Sequence, residues 1–206
     1  MFILYLLSDP IKALGFILGL ILGITIHEFM HAYSSFRLGD PTAKAYGRVS
    51  LNPLVHLDPF GTLFLLFVGF GWGKPVPVDP SNFNNPRVGE TISSIAGPFA
   101  NFILAALLSI LVRFLPLSSV STILNIIIYI NLILCVFNLL PIPPLDGSKL
   151  LWAIYPKIDL VAFERIGMPI LFGIILLSYV TGYSILGRII LPVINFLAHL
   201  LGAGSI

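Results

Sequence analysis

Two histidines four positions apart are the residues of this chain best suited to catalysis. The segment from His27 to His31 reads HEFMH and has the HExxH pattern. A helix places residues four apart on the same face, so both imidazoles can bind one zinc ion. Glu28 lies between them and can act as a general base toward a water molecule that the metal activates. The pattern alone is only moderately specific, because chance matches occur in ordinary helices.

The setting of the motif favours the metal interpretation. An apolar run, FILGLILGITI at residues 16–26, leads directly into it. A charged side chain at the centre of a membrane helix costs about 2.5–3.5 kcal/mol on insertion, and ionisable residues at such depth usually serve a function. Along a helix that begins near Ile11, His27 lies about 24 Å from the start. The site is therefore predicted inside a bilayer core of about 30 Å, nearer the end where the helix leaves at Arg37.

Catalytic zinc sites usually have three protein ligands, so a third ligand is expected elsewhere in the chain. Asp146 is the strongest candidate, because it follows a long apolar helix within the segment NLLPIPPLDG at 138–147. Three prolines there break the helix, and a broken helix at membrane depth normally lines a cavity. Helix capping is the competing role for Asp146. The other acidic or imidazole candidates are Asp40, Asp58, Asp79, Glu90, Asp159, Glu164, His56 and His199.

The two remaining histidines have simpler interpretations than metal binding. His56 lies in the loop NPLVHLDP, where we favour a turn-stabilising role over gating or an auxiliary metal contact. His199 lies in an apolar helix without an acidic neighbour, which favours a position at the membrane interface.

The composition predicts that the solvent of this protein is a lipid bilayer. Of 206 residues, 57% are hydrophobic and only 10% are charged, and the mean hydropathy is +1.02. A soluble domain carries about 25% charged residues. The net charge of +2 is too small to indicate a nucleic-acid partner. We therefore expect a multi-pass protein of the cell membrane, organised as one domain over residues 1–206.

Five long apolar helices are predicted, at about 10–36, 88–114, 120–140, 164–179 and 184–201. The first three reach the length of about 20 residues that crosses a bilayer. A short amphipathic helix is predicted at 149–155.

The apolar segment 60–72 is different, because it is too short for an easy crossing and is punctuated by glycine. Proline-rich loops flank it, which favours a bent or extended backbone. We predict that residues 44–80 form a re-entrant or β-like membrane-associated loop, which can include short strands. A sixth span is the competing interpretation. The fold class is thus an all-α polytopic membrane protein with five to six transmembrane helices.

The basic residues support the re-entrant interpretation. If 60–72 does not cross, eight of the eleven basic residues lie on the cytoplasmic side, as the positive-inside rule requires. A crossing at 60–72 would move Lys149 and Lys157 outside. The eight residues are Arg37, Lys44, Arg48, Lys74, Arg87, Lys149, Lys157 and Arg165.

Three motifs occur in an order that resembles the site-2 protease family of intramembrane zinc metalloproteases. They are HEFMH at 27–31, GPFANF at 97–102 and NLLPIPPLDG at 138–147. Between the first two, NPLVHLDPFGT and GWGKPVPVDPSNFNNPR resemble the compact bacterial and archaeal branch. The resemblance covers roughly residues 15–155.

The resemblance implies one zinc ion held by His27, His31 and Asp146, with Glu28 as the catalytic base. It implies that Asn138 assists the reacting carbonyl. Asn101 matches a family asparagine of the second core helix, for which a structural role is expected equally with a functional one. The expected substrate is a membrane protein or transmembrane peptide, cleaved in or near its transmembrane segment.

The resemblance also implies a three-helix catalytic core, formed by 10–36, 88–114 and 120–155. The core would then occupy about 10–155, and the C-terminal helices about 164–201. The alternative is a non-proteolytic zinc-binding membrane protein, either a regulator or a transporter. An intact Glu28 argues against a regulator, and the lack of paired interrupted helices argues against a transporter.

Overall fold

In the computed structural model, residues 8–68, 71–155 and 157–203 are described, and their regular structure is helical. They contain no β-strand, and one isolated bridge joins Leu57 to Gly73. Single turns of 3-10 helix occupy Pro53–Val55 and Pro80–Asn82. The α-helices are α1 (Pro10–Arg37), α2 (Thr42–Ala45), α3 (Pro59–Val68), α4 (Pro86–Val112), α5 (Ser119–Asn138), α6 (Gly147–Ile154), α7 (Leu160–Thr181) and α8 (Ile185–Leu201).

Helices α1, α4 and α5 pack on one another and form the centre of the molecule. Asp9 starts α1 by accepting hydrogen bonds from the backbone N–H groups of Ile11 and Lys12. Three glycines of α1, at positions 15, 19 and 23, face α5, where an added Cβ would press on Ile126, Ile130 and Leu134. Small residues let membrane helices approach closely, so this face brings the HExxH segment against its neighbours.

The last helix, α8, covers the outer side of α4 and α5. The buried cluster there consists of Ala105, Ile128, Leu132, Ile194 and Ala198. Helix α7 contributes little to this cluster. It lies beside the loop after α5, where Gly167 packs directly on Pro143 and Leu171 is buried.

Four of the described helices, α1, α4, α5 and α7, are long and apolar enough to cross a bilayer, and α8 is apolar but shorter. Their outer faces expose large apolar side chains, such as Leu14, Leu107 and Leu177. Water would not solvate surfaces of this size and character, whereas lipid does. The chain is therefore an integral membrane protein, and its five to six spans stay a prediction.

The all-helical class and the positions of the long helices are confirmed. The predicted helix at 88–114 is Pro86–Val112, and the one at 184–201 is Ile185–Leu201. The helix predicted at 164–179 begins four residues earlier, at Leu160, because Asp159 caps it by accepting from Val161 and Ala162.

The prediction for residues 60–72 is wrong in one respect. Residues 59–68 form the helix α3, not a bent, extended or β-like backbone. Asp58 accepts a hydrogen bond from Gly61 N, which stabilises the first turn. Between α3 and the 3-10 turn at Pro80–Asn82, the described residues with irregular backbone are 71–79, and 69–70 lie outside the described residues. That this region re-enters the membrane stays a prediction.

Two buried charged residues fix the loops around α2 to the segment 71–79. Asp40 is fully buried and accepts hydrogen bonds from the backbone of Thr42 and Asp79 and from the Asn82 amide. The Arg48 guanidinium donates to the carbonyl oxygens of Lys74 and Pro75. These side chains and the isolated bridge at Gly73 hold the segment 71–79 in place.

Candidate metal centre

Three ligand atoms from two distant parts of the chain meet between α1 and the start of α6. The Nε2 atoms of His27 and His31 lie 3.0 Å apart. Asp146 Oδ2 lies 3.2 Å from the first and 3.4 Å from the second. Both histidines are buried, and the Asp146 carboxylate is largely shielded from solvent. The structure thus brings together the three residues that the sequence named.

The dimensions of this triangle fit a zinc ion. Ligand atoms about 2.0–2.1 Å from one tetrahedral zinc ion lie about 3.3 Å apart. His31 Nδ1 lies 2.7 Å from the Ser93 carbonyl oxygen, which can only accept, so Nδ1 carries the proton. The His31 Nε2 lone pair then faces the Asp146 carboxylate. Such acceptor atoms repel one another unless a proton or a metal ion lies among them, and the dimensions of the triangle suit a metal ion.

Asp146 does not perform the capping role that competed with metal binding. It occupies the N-cap position of α6, yet its side chain makes no capping hydrogen bond there. The carboxylate is turned toward His27 and His31 instead. The carboxylate faces two imidazoles and not the N–H groups of the helix, and this orientation is suited to a metal ligand.

The other candidate ligands have different partners. Asp58, Asp79 and Asp159 cap helix starts. Glu90 and Glu164 both pair with Lys149. His199 is exposed in the last turn of α8.

His56 is fully buried and bonds through Nε2 to the Ser50 carbonyl oxygen, 2.7 Å away. Its own carbonyl accepts from Lys74 N. The burial and the neighbouring Arg48 charge lower the pKa of His56 despite the Ser50 contact, so the neutral ring is favoured. This geometry agrees with the turn-stabilising role.

The two predicted catalytic residues line the same cavity as the triangle, which has a volume of about 910 Å³. Glu28 lies on α1 with its carboxylate beside Gly73, where an added Cβ would lie 3.2 Å from Oε1. Asn138, at the end of α5, donates one amide hydrogen to the Leu134 carbonyl oxygen, 2.9 Å away. Its second amide hydrogen is not committed by that bond.

The wall of the site opposite α1 depends on Gly97 in the GPFANF motif. A Cβ at this position would overlap the His31 ring and lie 3.0 Å from His27 Cε1. Only a hydrogen atom fits between α4 and the two imidazoles. The motif therefore contributes space to the site as well as side chains.

Two groups near the site were missed in the sequence. Asn131 is fully buried in α5, and its amide meets that of Asn101. An amide in the middle of the apolar run IIIYINLILC was a signal, because polar groups inside membrane helices are costly.

The second missed group is the ion cluster of Lys149, whose Nζ lies 2.5 Å from carboxylate oxygens of Glu90 and Glu164. Burial would lower the pKa of Lys149, but the two carboxylates raise it above its usual value, so the lysine stays charged. The cluster joins α4, α6 and α7 at the edge of the cavity.

Comparisons with known proteins point to one family. The model of Peptidase family M50 matches residues 113–178, which include α5 and Asp146. The Bacillus subtilis protein named "Putative zinc metalloprotease YwhC" is 44% identical over an alignment of 150 residues, and the match covers 68% of this chain and 68% of that protein. No solved structure matches at comparable significance.

Two mycobacterial proteins, each named "Putative zinc metalloprotease Rip2", are also similar. The Mycolicibacterium smegmatis protein is 30% identical over 158 residues, 69% of this chain and 61% of its own length. The Mycobacterium tuberculosis protein is 34% identical over 140 residues, 64% of this chain and 53% of its own length. The alignments therefore span less than two thirds of these longer relatives.

The fold and the site together define a class of helical membrane proteins, in which an HExxH helix faces an aspartate from a distant part of the chain. The chain belongs to Peptidase family M50, the site-2 protease family. The resemblance drawn from the three motifs is confirmed, and with it the expectation of a zinc-dependent intramembrane metalloprotease.

Proposed function

We propose that this protease uses His27, His31 and Asp146 to hold one zinc ion and Glu28 as its general base. Its substrates are membrane proteins of the cell membrane, cleaved in or near a transmembrane segment. The observation that carries the proposal is the triangle of ligand atoms, with edges of 3.0–3.4 Å, at the wall of a cavity that Glu28 shares.

The reaction divides among residues of the cavity. When bound, zinc would polarise the scissile carbonyl and make a water molecule more acidic. Glu28 takes the proton of the attacking water and passes it to the nitrogen of the leaving amine. The free amide hydrogen of Asn138 is the candidate donor to the carbonyl oxygen, on which negative charge develops.

A helical substrate must unwind before its carbonyl can react, and the segment 71–79 is our candidate for binding the unwound strand. Val76 and Val78 line the cavity, whereas Pro75 and Pro77 have no N–H. The Lys74 and Pro75 carbonyls already accept from Arg48, so the start of the segment is occupied. The N–H groups of Val76 and Val78, further along, are our candidates for β-augmentation.

The test combines metal content with cleavage of a transmembrane peptide by the purified protein in mild detergent. Wild type should hold about one zinc ion per chain and cleave the peptide. Glu28→Gln should keep the zinc and lose cleavage by about 10²–10⁴-fold, because a general base contributes that much. Full activity in this variant would overturn the assignment of Glu28.

The competing functions give a different result. A zinc regulator would hold the metal without cleaving any peptide, and a transporter would carry zinc across proteoliposomes. Glu28 supports the protease, because neither alternative needs a carboxylate beside the metal site.

A further inference from the structure

Two buried asparagines lie behind the metal site and connect it to the helix core. Asn101 on α4 and Asn131 on α5 are both fully buried. Asn101 Oδ1 lies 2.7 Å from His27 Nδ1, on the side of the imidazole that faces away from the ligand triangle. Asn101 Nδ2 lies 2.9 Å from Asn131 Oδ1. The amides thus form a chain from α5 through α4 to the HExxH helix.

The orientation of each amide is set by a backbone carbonyl. Asn131 Nδ2 lies 2.8 Å from the Ile127 carbonyl oxygen, and Asn101 Nδ2 lies 3.0 Å from the Gly23 carbonyl oxygen. Carbonyl oxygens can only accept, so each must face an NH₂ group. If the Asn101 amide were reversed, its oxygen would face both the Gly23 carbonyl and Asn131 Oδ1. Two buried acceptor pairs without hydrogens oppose that orientation.

The orientation of Asn101 has a consequence for His27. With its oxygen toward the ring, His27 Nδ1 must carry the proton and donate it. The Nε2 lone pair is then free toward Asp146 and His31. In metal sites the hydrogen bond at one ring nitrogen decides which tautomer the other nitrogen presents to the metal.

We propose that Asn101 is a positioning residue that holds His27 in the Nδ1–H tautomer, with Asn131 and the Gly23 carbonyl fixing the direction of its amide. The proposal rests on the proposed zinc site for its purpose, but the tautomer exists without metal. Gly23 leaves room for the pair, since a Cβ there would lie 3.2 Å from Asn131 Oδ1. Polar residues also serve as packing contacts between membrane helices. The test must therefore distinguish this packing role from control of the His27 tautomer.

The test reads the tautomers of the histidine rings directly, by ¹⁵N NMR of zinc-free protein labelled at histidine. Single replacement of each of the four histidines assigns the signals. At a pH where the rings are neutral, His27 should show a protonated Nδ1 and an unprotonated Nε2. An Nε2–H signal for His27 in wild type would overturn the proposal without any asparagine variant.

The variant Asn101→Leu should move His27 toward the Nε2–H form and lower zinc affinity by about 10–100-fold in competition with a chelator. His31 is the internal reference, because its Nδ1 bonds the Ser93 carbonyl and should not change. Asn101→Ser, which keeps a polar group but cannot span to His27, should act in the same direction. Ser109→Ala is the matched control, since this buried serine of α4 bonds only within its own helix, to Ala105 O.

A folded Asn101→Leu protein with unchanged His27 tautomer and zinc affinity would show that Asn101 only packs the helices. Because these signals come from zinc-free protein, a wild type that cleaves no peptide would count against the proposed function and not against this inference.

Discussion

At the scale of single residues, the geometry of the site depends on the few hydrogen-bond partners that are available to each side chain. His31 has its second nitrogen bonded to a backbone carbonyl, and Asp146 makes no capping hydrogen bond in α6. The imidazole and carboxylate faces that remain are directed at one point. The proposed ligand set is therefore organised by its neighbours before any metal binds, which would lower the conformational cost of binding.

Asp146 and Asp159 offer a matched pair of substitutions, because both aspartates precede a helix but only Asp159 caps one. Asp146→Ala should remove a ligand and reduce bound zinc well below one ion per chain, with loss of cleavage. Asp159→Ala should destabilise α7 by about 1 kcal/mol and leave the zinc content unchanged. Metal analysis of the two purified variants makes the comparison. Equal zinc in both would show that Asp146 is not a ligand.

At the scale of elements, α1 combines the functions of packing and chemistry on different faces. Its glycines meet α5, and its histidines point to the site. The loops after α1 then carry the irregular segment 71–79 across the cavity. Charged groups at buried positions, together with one isolated bridge to Gly73, hold that segment.

Substrate pairing with this segment predicts a backbone-specific effect at Val76. Val76→Pro removes the N–H that a bound strand would use, so cleavage should fall at least 10-fold while zinc stays bound. Val76→Thr, similar in size with its N–H intact, should remain close to wild type. Peptide cleavage and metal content are measured for both variants. Equal activity of the two would exclude hydrogen bonding at Val76.

The hydrogen bonds of the buried Asp40 carboxylate predict that the loops it joins, around Thr42 and Asp79, are sensitive to acid. Burial would raise its pKa, but hydrogen bonds from Thr42, Asp79 and Asn82 lower it below the usual value. A group with a lowered pKa stabilises the fold above its usual pKa of 3.8, and this contribution is lost as pH falls through the folded value. The melting-temperature difference between wild type and Asp40→Asn should therefore be largest near pH 7 and shrink below pH ~4. A constant difference over that range would contradict this role.

At the scale of the whole molecule, the position of each loop relative to the membrane follows from the basic residues. If 60–72 does not cross, Lys44 and Lys157 lie on the cytoplasmic side and Ser118 on the other. Single cysteines at these exposed positions, in a Cys135→Ser background, can be labelled with a membrane-impermeant thiol reagent. Lys44→Cys and Lys157→Cys should react from the same side and Ser118→Cys from the opposite one. Labelling of the first two from opposite sides would establish a sixth span.

The long helices and the proximity of the two histidines were predictable because their signals are local. Length and apolar composition define a membrane helix, and the four-residue spacing of HExxH places both imidazoles on one helix face. Asp146 was expected near them from the proline-broken helix end that precedes it. Helix α3 was not predictable in the same way, since Gly61 reads as a helix breaker. In the structure this glycine lies against the Trp72 backbone, where a side chain would not fit. The Asn101–Asn131 pair likewise depends on which helices become neighbours.

The separation of the ligands along the chain bears on how the protein is made. His31 and Asp146 lie 115 positions apart, with α4 and α5 between them. In the proposed site, a growing chain has two histidines in the membrane long before the third ligand leaves the ribosome. The newly made protease therefore cannot assemble its metal centre, or cut neighbouring nascent helices, until α5 has been inserted and the loop after it has folded back.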